Sequence, residues 1–156
     1  MEIENKINQY SDMVYRIAYS MTKRKCDAED IYQNVFLKFF KASETFDNSE
    51  YEKRWLIRVT VNECNMLFRR SFFKKEVELD ENVCVPCNDE YDDSIFSYVK
   101  QLPSKYRIVI YLHYYEGYKV EEISLILKCS VGTVKSQLSR ARNMLKDIMK
   151  EDFDEK

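Results

Sequence analysis

The chain has 156 residues, 45% of them hydrophobic and 14% aromatic, which excludes wholesale disorder and suits one or two small domains. Two glycines and two prolines are too few for the turns of a many-stranded sheet fold and point to helices joined by short connections. A net charge of -2 excludes any general attraction to nucleic acid, so DNA binding would have to come from local patches or from a partner.

In chain order, Ile3, Ile7, Tyr10, Val14, Ile17 and Met21 recur at threes and fours, predicting a first helix that ends at the basic cluster Lys23-Arg24-Lys25. Asp27 suits the N-cap of a second helix, with Asp30 in its first turn and Ala28, Ile31, Val35 and Phe39 facing inward. Ser49 and Glu52 have the spacing of a capping box opening a third helix through Trp55, Val59 and Met66 to Arg70. From Leu79 to Ile95 there are six acids and no Lys or Arg around Val83-Cys84-Val85-Pro86-Cys87, which reads as a solvated linker. Beyond it, Pro103 fits the first turn of a helix and Gly117 its stop, with Ile108, Tyr111, Leu112 and Tyr115 buried. A short helix over 120–127, a tight turn and a longer helix capped by Ser130 complete the chain. The expected fold is all-α: two small helical domains, residues 1–78 and 96–156, joined by an acidic flexible linker over 79–95.

The last helix carries the functional signal. Val131, Val134, Leu138, Ala141 and Leu145 form one apolar stripe, while Lys135, Ser136, Ser139, Arg140 and Asn143 point the other way. From Ser130 to Lys146 there are four cations and no anion. A short helix, a turn and a helix with a cationic outer face make a helix-turn-helix, whose second helix enters the major groove. An αα-hairpin inside a bundle is the plainer alternative, and the basic outer face favours DNA.

The segment LPSKYRIVIYLHYYEGYKVEEISLILKCSVGTVKSQLSRARNML resembles the promoter-binding domain of extracytoplasmic-function sigma factors of bacterial RNA polymerase. DAEDIYQNVFLKFFKA and FDNSEYEKRWLIRVTVNECNMLFRR resemble the other conserved domain of that family, in the family's order. The resemblance implies an alternative sigma factor that binds core polymerase and directs transcription initiation. It assigns Asp27, Asp30, Gln33, Asn34, Phe36 and Lys38 to the beta-prime clamp helices. Phe46 and Asn62 stand where the family captures a base flipped from the minus-ten element, with Arg54, Arg58, Arg69 and Arg70 suited to phosphates of the same strand. Phe46 reads equally well as a core aromatic closing a loop, and Trp55 reads as core. In the last helix the resemblance implies reading of the minus-thirty-five element by Thr133, Lys135, Ser136, Ser139 and Arg140, with Arg142 and Lys146 on phosphates. Core polymerase, through its clamp helices and beta flap, promoter DNA and an anti-sigma factor are the implied partners. Lys119 stands where the family has Ser or Thr, Lys128-Cys129 where it has Gly and an aliphatic, Ser124 where Ala is usual, and Asn34 where an acid is common. A left-handed Lys128 would cost about 1 kcal/mol.

Other chemistries find less support. Five cysteines at irregular spacing predict reduced thiols, and Cys84-Val-Pro-Cys87 lacks the second ligand pair of a zinc site. His113, inside an apolar run, reads as a satisfied core histidine. One histidine and no phosphate loop or nucleophile arrangement argue against an enzyme, and no metal or cofactor is expected. A free-standing helix-turn-helix regulator is the rival reading, and the first lobe counts against it. MEIENKINQY has no basic region followed by an apolar run, and no run approaches roughly 18 apolar residues, so no leader, no membrane span and a cytoplasmic location are expected.

Overall fold

The computed structural model describes residues 2–42, 46, 48–77 and 94–154. Among them every element is helical, and the chain divides into two compact units, Met1–Cys87 and Asn88–Lys156. All but two residues of the expected linker, Ser94 and Ile95, lie outside the described residues.

In the first unit α1 (Glu2–Thr22), α2 (Lys25–Ala42) and α3 (Ser49–Val77) pack pairwise into a three-helix bundle. Its core is Val14, Ile17, Ala18, Val35, Phe39, Leu56 and Ile57, all completely buried. The α1 stripe is buried from Tyr10 onward, with Ile3 and Ile7 half-buried at its frayed start. Lys23 ends α1 in the left-handed conformation (φ 61°), and the Thr22 hydroxyl donates to the Ala18 carbonyl at 2.8 Å.

Two helix starts differ from their sequence reading. Helix α2 begins two residues before Asp27, with the Ala28 N–H bonded to the Arg24 carbonyl, so Asp27 lies in the first turn. There it still complements the helix dipole. At α3 the cap is Asn48, whose Oδ1 accepts the Tyr51 N–H at 2.7 Å, and Ser49 is already helical. Glu52 does not complete a capping box. It is 3% exposed and accepts from Lys6 of α1 at 2.9 Å. The buried face of α3 is Leu56, Ile57, Thr60, Val61 and Cys64, whereas Trp55 and Val59 are half-buried and Met66 is exposed.

In the second unit α4 (Ser94–Val99), α5 (Ser104–Ile110), a π-helical turn (Tyr111–Tyr115), α6 (Val120–Leu127) and α7 (Val131–Asp154) enclose Leu102, Val109, Leu112, Ile123, Val134, Leu138 and Ala141. Pro103 sits just before α5 rather than inside it, offering its carbonyl to Tyr106 and Arg107. The wide turn is closed by the Glu116 N–H on the Tyr111 carbonyl at 3.2 Å. Gly117 follows with φ +74°, a conformation that favours glycine. Because the turn is wide, Tyr115 falls off the buried stripe and is 47% exposed, stacked on Tyr111. His113 is satisfied at the Tyr118 carbonyl, 3.0 Å away.

The expectation of reduced thiols holds for Cys64 and Cys129, which are free, but Cys26 is disulfide-bonded. Cys84 and Cys87 lie outside the described residues. Burial pushes the Cys129 thiol up.

Candidate nucleic-acid interface

Local caps define both ends of α6 and the start of α7. Lys119 precedes α6 in extended conformation; its ammonium cannot accept an N–H, and Glu122 supplies the cap by accepting the Lys119 N–H at 3.0 Å. Lys128 ends α6 left-handed at φ 53° and ψ 51°, and the Lys128 and Cys129 amides close on the Ser124 carbonyl. Ser124 fits, 8% exposed, with its hydroxyl on the Glu121 carbonyl. Ser130 then caps α7, accepting the Thr133 N–H at 3.1 Å.

With Val134, Leu138 and Ala141 buried, the opposite face of α7 is open to solvent. It carries two adjacent stripes. Thr133, Ser136, Arg140 and Asn143 follow at threes and fours, and Lys135, Ser139, Arg142 and Lys146 run alongside, all exposed. The sequence pairs Lys135 with Arg140, but helical pitch puts them on different stripes. Arg142 and Lys146 line a groove of about 800 Å³ between α4, α5, the π turn and α7, walled by Val99, Ile110, Leu145 and Met149. The Arg142 Nε donates to the Tyr114 hydroxyl at 2.7 Å, and the guanidinium sits over the Tyr114 ring. This apolar groove has no counterpart in the sequence reading.

In the first unit Arg54, Arg58, Asn62, Asn65 and Arg69 share one stripe of α3, on the side away from Leu56, Ile57 and Cys64. Arg54 is tied to Glu50 one turn back at 3.1 Å. Arg70 points to a different side. Phe46 is half-buried in an aromatic cluster, stacked on Phe39 at 5.9 Å and set against Trp55 and Tyr51. Part of its surface is still exposed.

On α2 the outward stripe is Cys26, Asp30, Gln33, Leu37 and Phe40, with Asn34 beside it. Phe36 is not on it: it is 7% exposed, packed on Tyr32 and Phe39, and holds the helix from within. Lys38 is bound to Glu63 of α3, and Asp27 is half-buried with Arg24 at 3.8 Å. Leu37 and Phe40, 63% and 62% exposed, are the residues that the sequence reading missed. The signal was available, since neither falls on the spacing of Ala28, Ile31, Val35 and Phe39.

Residues 7–71 match the family model of sigma-70 region 2, and residues 93–145 that of sigma-70 region 4. The ECF RNA polymerase sigma factor SigM of Bacillus subtilis is 32% identical over 158 residues, covering 95% of both chains. This chain belongs to the ECF RNA polymerase sigma factors. RNA polymerase sigma factor SigV of the same organism is also 32% identical, over 94% of this sigma factor and 91% of that chain. SigE of Mycolicibacterium smegmatis is 30% identical over 92% of this chain, which spans only 60% of that longer protein. In structure, sigma factor RpoE from Bartonella quintana, solved with the anti-sigma factor NepR, superposes at a TM-score of 0.77 with 24% identity, over 96% of this chain and 97% of that one. That likeness concerns the fold. Among the described residues of this sigma factor no cluster of metal ligands occurs, and no helix is long and apolar enough to cross a membrane.

Proposed function

We propose that this sigma factor assembles with core RNA polymerase and gives it promoter specificity through three surfaces. The outward stripe of α2, Asp30, Gln33 and Asn34 with the apolar Leu37 and Phe40, docks on the clamp helices of beta-prime, Asp27 and Lys38 flanking it and Phe36 supporting it from the core. The α3 stripe of Arg54, Arg58, Asn62 and Arg69, with Arg70 at its margin, holds the melted minus-ten strand, and the free edge of Phe46 stacks on an extruded base. The outer face of α7 reads the minus-thirty-five duplex through Thr133, Lys135, Ser136, Ser139 and Arg140. Arg142 and Lys146, at the edge of that face, hold phosphate, and the adjoining groove receives the beta flap.

The observation that carries this reading is the pairing, on one chain, of an exposed cationic helix-turn-helix with an Arg/Asn stripe, half-buried at Arg54 and Arg58 and exposed from Asn62 onward, beside an aromatic cluster. One suits duplex and the other single strand, and initiation needs both. Domains 1–78 and 96–156 would divide these tasks, with residues 79–95 as acidic linker. The chain acts without cofactor or catalysis of its own, in the cytoplasm, and an anti-sigma factor controls its access to polymerase.

Transcription in vitro by core polymerase on a promoter library, with and without the protein, tests the proposal. Promoter-specific transcripts should require both components. Specific duplex binding of equal strength without polymerase would identify a stand-alone regulator instead.

A further inference from the structure

The chain has two glycines, and they stand in opposite relations to the fold. Gly117 has φ +74° and ends the π turn, where a side chain would strain the backbone. Gly132 has no such reason. It lies in the first turn of α7 with no left-handed φ, and a Cβ built on it would meet only the Ser130 Oγ, at an ordinary 3.9 Å. Its surroundings are open solvent. Alanine would hold that helical backbone better, because glycine loses more conformational freedom on folding. A residue that weakens its helix and relieves no crowding within the fold has to be explained by something outside it.

Gly132 lies on the solvent face, one turn before Ser136 and beside Thr133, at the end of α7 that leads into a groove in helix-turn-helix docking. We infer that Gly132 is a DNA-contact residue whose missing side chain lets the first turn of α7 come within van der Waals contact of the promoter duplex. This deepens the reading of α7 as the minus-thirty-five helix and rests on it. A Cβ at this position would hold the whole helix away from the base edges, so its effect should exceed that of losing one contact.

The test compares Gly132→Ala, Gly132→Val and Arg140→Ala by thermal unfolding, binding to core polymerase, and holoenzyme binding to promoter duplex. Gly132→Ala should leave unfolding temperature and polymerase binding unchanged or improved and weaken promoter binding by on the order of tenfold. Gly132→Val should weaken it further. If Gly132→Ala binds within about twofold of the parent while Arg140→Ala binds poorly, the inference fails and the role of α7 stands. If neither variant changes promoter binding, the role of α7 fails and takes the inference with it. A clear drop in unfolding temperature for Gly132→Ala would show that the glycine serves the fold.

Discussion

Two side chains held in unfavourable settings make single-residue tests. Lys128 takes a left-handed conformation that costs a non-glycine residue about 1 kcal/mol, so Lys128→Gly should raise stability by about that amount, read as a higher unfolding temperature with promoter binding retained. The family resemblance marked this position, because the family has glycine where this chain has Lys128. Tyr10 was legible only as a core residue. It is 4% exposed, and burial, then a hydrogen bond to Glu52 and the charge of that carboxylate, push its phenol up to about 12. A folded value above the unfolded 10.0 means that the fold favours the neutral phenol. Its contribution is complete below pH 10 and is lost as pH rises toward 12. Denaturant titrations across that range should show stability falling, and Tyr10→Phe should flatten the fall.

At the scale of elements, the short helices were more legible than the long one. Residues 120–127 and the Ser130 cap follow from local rules, since each has one apolar stripe and a cap chemistry of its own. Ser130→Ala should cost about 1 kcal/mol of stability, and Ser130→Gly only a few tenths. Helix α3 left its buried face open because it is apolar on two sides. Trp55, Val59 and Met66 form as regular a stripe as Leu56, Thr60 and Cys64, and nothing within α3 says which packs on α1 and α2. The Arg and Asn stripe was found through family resemblance, and packing then shows it facing outward. Asn62, exposed on that stripe, should be dispensable for stability. Asn62→Ala should leave closed complexes nearly intact and reduce permanganate reactivity of minus-ten thymines. Unchanged reactivity would remove Asn62 from the single-strand surface. Within α7, Arg140→Ala should cost about 1–3 kcal/mol in holoenzyme binding and relax preference at one or two base pairs. Arg142→Ala should weaken all sequences alike and lower the salt slope by about one.

For the whole molecule the decisive quantity is net charge. At -2 the chain gains little from the duplex by itself, and cations on α3 and α7 are offset elsewhere in the sequence. Purified protein should therefore bind promoter duplex weakly, and tightly once core polymerase is present, as electrophoretic mobility shifts with and without polymerase would record. The two-lobed helical plan was readable because glycine and proline are scarce and the acids cluster once. What the sequence could not give were surfaces defined by what fails to be buried. The groove beside Tyr114 is such a surface, since its walls are apolar and burial is the default for apolar residues until a packed structure leaves them out, whereas Leu37 and Phe40 lie off the spacing of the buried stripe and could have been found.

The π turn at Tyr111–Tyr115 bears on chain length. Such a turn holds one residue more than an α-helical turn spanning the same rise, so deleting one residue there lets the helix continue in α-helical register instead of breaking it. The residues beyond the deletion would then keep their places around the axis, as would Val109 and Leu112 in the core. Tyr114 and Tyr115, which wall the groove, would be exchanged for their neighbours. A deletion of one residue, ordinarily ruinous inside a helix, is here a way to reshape the groove without redesigning the domain beneath it.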